Sequence, residues 1–175
     1  ASDGTHFLLC DRFNNRVLVW NTLPDCWDAP PDLVLGQENF YTNAPGKTNA
    51  GLNFPGNVSV GANGIVSVCD TENDRILIWL QFPTRSGQPA DVELRLPDFS
   101  PPGAPMRYEW PWGVWTDGTR LVASATHGGA LLFWNSIPSR DNVPPDFVLS
   151  RPEFGTLRTI ASDGQSNFLV GDHNA

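Results

Sequence analysis

The residues able to do chemistry in this chain are few, and most of them sit in turns. His127 lies in Ala125-Thr126-His127-Gly128-Gly129, and His173 lies in Asp172-His173-Asn174-Ala175. They fall in equivalent turns of successive sequence repeats, one residue apart in alignment. Imidazoles converging from neighbouring turns would hold a metal such as zinc or calcium. Only these two histidines fit that pattern, no carboxylate stands at a diagnostic spacing, and His6 lies on a different turn. Solvent-facing turn histidines, with no cofactor, are the simpler expectation.

Tyr108, Trp110 and Trp112 alternate ahead of an expected strand. Alternate residues of an extended chain point to one side, so the three rings read as a platform. Such a platform would stack a sugar or a flat ligand, or anchor a protein partner. Trp110 aligns with Phe54 of the preceding repeat, which suits packing between repeats. Trp112 aligns with Gly56, so the repeat does not require it. That makes Trp112 the first candidate.

The pattern Asp-x-x-Asn-x-Arg occurs twice, with Asp11 and Arg16 and again with Asp70 and Arg75. Stacked acid–arginine pairs at one rim would suit a charged ligand. A group repeated at each step is more often part of the scaffold, with the carboxylate closing its own turn and the arginine pairing to it. Cys10 and Cys69 share one repeat position, filled later by Ser124 and Gly171, which reads as a slot for a small residue. Cys26 is expected to be exposed. The odd cysteine count leaves at least one thiol unpaired within the chain. No His-x-x-His, Gly-x-Ser-x-Gly or phosphate-binding glycine loop occurs.

Charge narrows the partners. The net charge is −8 and Lys47 is the only lysine, so the surface repels a phosphate backbone and nucleic acid is not expected. No apolar run approaches the roughly 18 residues that span a membrane. The chain opens at Ala1 with no signal-peptide pattern, so it reads as a processed protein, a trimmed form or an excerpt. Compartment stays open; an extracytoplasmic or secreted one is the working expectation.

An internal repeat positions these residues. Arg16-Val17-Leu18-Val19-Trp20 returns 59 residues later as Arg75-Ile76-Leu77-Ile78-Trp79, and 55 further on as Ala130-Leu131-Leu132-Phe133-Trp134. Pro31-Asp32-Leu33-Val34-Leu35, closing at Phe40, recurs at Ala90–Leu94 with Phe99 and at Pro145–Leu149 with Phe154. The turns Asp3-Gly4, Asn63-Gly64, Asp117-Gly118 and Asp163-Gly164 keep the same rhythm and read as type I′ hairpins.

Four strands per unit follow. In the second repeat they are expected at Asn57–Val60, Ile65–Cys69, Arg75–Trp79 and Val92–Leu94. In the third they are Gly113–Trp115, Leu121–Ser124, Leu131–Trp134 and Phe147–Leu149. The first repeat lacks its opening strand, and the fourth stops after Phe168–Val170. The third strands are apolar on both faces, so each small sheet must be covered front and back. No helical periodicity offers that cover, which leaves sheet against sheet: a β-propeller of four-stranded antiparallel blades. The domain spans residues 1–175, with repeats at approximately 1–50, 51–105, 106–155 and a partial 156–175. About three blades and part of a fourth make an incomplete ring, so further sequence or another chain is expected to complete it.

These residues resemble the NHL-repeat family of β-propellers. The likeness is carried by Asp11-Arg12-Phe13-Asn14-Asn15-Arg16-Val17-Leu18-Val19-Trp20 and by Asp70-Thr71-Glu72-Asn73-Asp74-Arg75-Ile76-Leu77-Ile78-Trp79. Leu52–Val60 is similar to the family's approach to the innermost strand. The third repeat departs, having lost both the Asp and the Arg of the turn. The resemblance implies a ring of about six blades, and it makes histidine-bound metal thinkable, since some related lyases use it. Such blades serve binding, scaffolding and catalysis alike.

The loop Tyr41–Ala50 and the proline-rich Ser100–Met106 join successive blades on the face that also carries the second-to-third-strand turns. They are the least repetitive segments, so a site is expected there. The first expectation is a non-catalytic interaction scaffold binding protein or glycan through that connector face. The alternative is part of a propeller enzyme, a metal-dependent lyase or a lactonase-like hydrolase, whose site needs further blades. The RNA-binding role of some family members stands against the acidic charge.

Overall fold

β-Branched and aromatic residues between Asx-Gly turns favour short extended segments. The computed structural model describes residues 1–106, 108–165 and 167–173, and there these segments form four antiparallel sheets. The first is β1 (Phe7–Asp11), β2 (Arg16–Trp20) and β3 (Leu33–Leu35), in that order. The second is β4 (Pro55–Val60), β5 (Val66–Asp70), β6 (Arg75–Trp79) and β7 (Val92–Arg95). β8 (Pro111–Thr116), β9 (Leu121–Ala125), β10 (Ala130–Trp134) and β11 (Phe147–Ser150) repeat that meander. β12 (Leu157–Ser162) and β13 (Phe168–Asp172) begin a fourth. In the first sheet the opening strand is missing, and Ala1 lies in its place, exchanging backbone bonds of 2.8 and 2.9 Å with Leu8.

The sheets stack face to face. Leu8, Val17 and Val19 of the first pack on Val58, Val68, Leu77 and Trp79 of the second. Ile76, Ile78 and Val92 of the second meet Val114, Ala123 and Leu132 of the third. Val122 and Leu131 close on Leu157 and Ile160. All five residues of β6 are therefore buried, whereas β2, in an end sheet, buries only alternate residues. Burying each such aliphatic side chain contributes about 1.5–3 kcal/mol, so stacking is what makes these small sheets stable. Among the described residues the helical pieces are two single 3-10 turns, Arg12–Asn14 and Thr71–Asn73, and no helix covers a sheet. The architecture is all-β, a β-propeller with an incomplete ring.

The repeat holds at atomic detail. Trp20, Trp79 and Trp134 each donate an indole N–H to the carbonyl nine residues on, at 2.9, 3.0 and 2.9 Å. Asp32, Asp91 and Asp146 each accept the backbone N–H that follows the tryptophan, at 2.7, 2.8 and 2.7 Å. Together they close the loop between third and outer strands.

Two expectations need correction. The inner strands begin earlier than expected, at Pro55 and Pro111, because proline is tolerated as the first residue of a strand. The Asx-Gly turns are not type I′, since only the glycine has positive φ (+92° at Gly4, +83° at Gly64, +90° at Gly118, +76° at Gly164). Gly61–Gly64 closes through a Gly64 N–H to Gly61 carbonyl bond of 2.8 Å, with Ala62 and Asn63 as central residues. The Asx side chain works from negative φ instead: Asp117 Oδ1 accepts the Thr119 and Arg120 amides at 2.8 and 2.7 Å.

Candidate functional site

The second-to-third-strand turns and the blade connectors share one face. Arg16 Nε donates to Asp11 at 2.8 Å while its outer nitrogen donates to the Phe40 carbonyl. Arg75 is only 2% exposed and donates to Asp70 at 2.7 Å, Glu93 at 2.7 Å and the carbonyls of Lys47, Thr48 and Gly51. Its fork has no donor edge left for a ligand. Burial pushes the Asp70 carboxyl upward, against the pull of Asn73, the Asn53 amide and Arg75. The pair ties the connector to its blade.

A second layer of contacts ties each blade to the next, and repeat reasoning did not find it. Asn15 and Asp74 end the 3-10 turns in left-handed conformation, at φ 52° and 55°. Asn15 Oδ1 accepts the Phe54 amide at 2.8 Å; Asp74 Oδ1 accepts the Glu109 and Trp110 amides at 2.9 and 2.8 Å. Burial holds the Asp74 carboxyl above the usual carboxylate range despite those two amides. Thr71 donates its hydroxyl to the Pro111 carbonyl and Thr126 to the Leu157 carbonyl, both at 2.7 Å. The available signal was an Asx at the turn's end, the residue type that tolerates left-handed backbone.

The three aromatic candidates do not form one platform. Trp110 takes a left-handed φ of 51°, and the β8–β9 register shifts between Pro111 and Val114, so simple alternation fails. Tyr108 is 64% exposed beside a groove of about 260 Å³, lined by Asn73, Asp74, Arg95, Leu96 and Met106. A smaller hollow of about 140 Å³ continues it past Lys47, Glu72 and Arg75. Trp110 instead lies against His127, ring centres 4.6 Å apart. Trp112 faces the guanidinium groups of Arg12 and Arg158, at 4.4 and 4.5 Å from its ring centre.

His127 is exposed, and its Nδ1 lies 2.8 Å from the Tyr108 carbonyl. A carbonyl only accepts, so Nδ1 carries the proton in that bond. His173 is exposed too, and its backbone amide donates to the Thr156 carbonyl at 3.1 Å. Among the described residues no three His, Cys, Asp or Glu side chains group as metal ligands. All three cysteines are free: Cys69 is buried, Cys10 is partly so, and Cys26 is exposed. Burial pushes the Cys10 thiol up to about 12, which keeps it a poor nucleophile. No helix among the described residues is long and apolar enough to cross a membrane.

These features define one class: part of a β-propeller whose connector face carries a groove and whose inner strands carry an arginine–tryptophan cluster at their start. No protein-family model matches the sequence, and no curated protein does. Solved structures match the fold. A chain of Chaetomium thermophilum Polycomb Repressive Complex 2 bound to GSK126 superposes with a TM-score of 0.55 at 14% identity, covering 97% of this chain and 37% of that one. A chain of ctPRC2 in complex with H3K27me3 and H3K27M gives 0.55 at 15% identity, covering 96% and 34%. U3-55K gives 0.51 at 12% identity, covering 85% and 36%. The chain thus spans about a third of the length of these structures, and at such identity the likeness is one of fold.

Proposed function

We propose that this chain is a segment of an NHL-type propeller that serves as a non-catalytic interaction scaffold, taking a protein partner on its connector face. The carrying observation is Tyr108, held exposed at the lip of the Asn73–Arg95–Met106 groove. Met106 and Tyr41, in or beside the connectors, are exposed as well. An amphipathic ring beside a groove is the usual anchor of an interface. The repeated acid–arginine pairs are spent inside the scaffold, so recognition falls to the residues that do not repeat.

Selection of a displayed peptide library on the protein tests this, with Tyr108→Ala against Trp27→Ala as control. Trp27 is exposed in the β2–β3 loop, away from the groove. Selected peptides are expected to lose at least about tenfold in affinity, some 1.4 kcal/mol, on Tyr108→Ala and little on Trp27→Ala. Equal binding by all three proteins would remove the reading. A glycan ligand is the second reading, favoured by Glu72, Asn73 and Arg95 beside the Tyr108 ring. Binding on a glycan array, abolished by Tyr108→Ala with no peptide selected, would put it first.

A further inference from the structure

The inner strands shift register at one shared level. The pairing skips between Pro55 and Asn57 in β4, between Pro111 and Val114 in β8, and between Leu157 and Thr159 in β12. A bulge re-aims the side chain it releases. The skipped residues are Gly56 in β4, Trp112 and Gly113 in β8, and Arg158 in β12, and of these Gly56, Trp112 and Arg158 occupy equivalent places. The blade clip departs from its repeat at the same level. Thr71 and Thr126 reach the next blade's inner strand through a hydroxyl, but in the first blade the equivalent residue is Arg12. Arg12 reaches the Gly56 carbonyl at only 3.4 Å and lies over Trp112 and, at 5.2 Å, Phe54. Three residues that the repeat does not call for therefore converge from three blades.

We propose that Arg12, Trp112 and Arg158 form a binding site for a small carboxylate where the inner strands β4, β8 and β12 shift register. Arg16, Arg75, Arg95 and Arg120 each pair with a carboxylate. Arg12 and Arg158 pair with none among the described residues, and Arg158 Nε is buried without an acceptor. Each guanidinium lies on the Trp112 ring with no carboxylate paired to it, so each gains from a counter-charge. A guanidinium stacked on a ring keeps its N–H edge free, and that planar fork matches a carboxylate. The net charge of −8 repels a polyanion, which favours a small monoanion at these guanidinium groups. This site is separate from the Tyr108 groove.

Proton–nitrogen spectra reporting arginine Nε–H and indole N–H groups test the site, with benzoate, its neutral isostere benzamide, and inorganic phosphate as probes. Benzoate is expected to shift the Arg12, Arg158 and Trp112 signals saturably. Arg158→Gln and Arg12→Gln should each weaken it at least about tenfold, and Arg158→Lys, which keeps charge but not the fork, should also weaken it. Arg140→Gln and Tyr108→Ala should leave it unchanged. Benzamide saturating equally well, phosphate binding more tightly, or Arg140→Gln matching Arg158→Gln would each overturn the proposal. Should Arg158→Gln lose its dispersed spectrum, Arg158→Lys decides alone.

Discussion

Asp117 illustrates how single carboxylates in this chain act on the backbone first and on charge second. Burial pulls its pKa upward, but the Arg120 and Thr119 amides and the Arg120 guanidinium outweigh that and take it below the usual carboxylate value. A folded pKa below the unfolded one means stability that is present above the unfolded pKa and lost as pH falls through the folded one. Asp117→Asn keeps the turn acceptor and loses the charge. Urea melts should show the variant less stable near neutral pH by under about 1 kcal/mol, with the gap closing in acid below the ordinary carboxylate range. A gap that persists unchanged in strong acid would assign the effect to turn geometry alone. Asp11 and Arg16 were readable as a pair because they recur as Asp70 and Arg75. Trp112 was readable only as an exception, and its arginine neighbours come from positions about 100 and 46 residues away, which no local pattern connects.

At the scale of elements, the turns do the joining. Asp74 closes the turn after β5 and then reaches two amides of the following blade. Asp74→Ala leaves both without their acceptor and should lower stability by about 1–3 kcal/mol in chemical denaturation. Asp74→Asn keeps the acceptor oxygen, as Asn15 does in the first blade, and should recover most of that loss. Equal loss in both variants would mean that charge, rather than the hydrogen bonds, matters there. Outer strands are protected in the same way: Asp141 and Asn142 of the third blade accept the Glu93 and Arg95 amides of β7 at 2.8 and 3.0 Å. Strand existence was legible from apolar runs and Asx-Gly punctuation. Turn type was not, since an Asx-Gly pair fits a type I turn followed by a positive-φ glycine as well as type I′.

At the scale of the whole arc, the first and last sheets each have one neighbouring sheet among the described residues. Leu9 is 47% exposed on the first sheet and Leu169 is 65% exposed on the last. Exposed apolar faces, and a β13 edge with no strand partner among the described residues, favour association of residues 1–175. Sedimentation is expected to show concentration-dependent self-association, reduced by Leu169→Lys without a lower melting temperature. Association unchanged by that substitution would place the contact elsewhere.

The sequence by itself determined the blades: apolar third strands that need cover on both faces, tryptophans spaced by 59 and 55 residues, and an acid–arginine turn repeated twice. Those are local and periodic properties, and periodicity survives in one dimension. Only the tertiary structure decided which non-repeating residues meet. Bulges at the start of β4, β8 and β12 turn side chains out of the ladder, and stacking then brings Arg12, Trp112 and Arg158 together across blades. That convergence depends on a register shift of a residue or two, and a linear pattern does not record it.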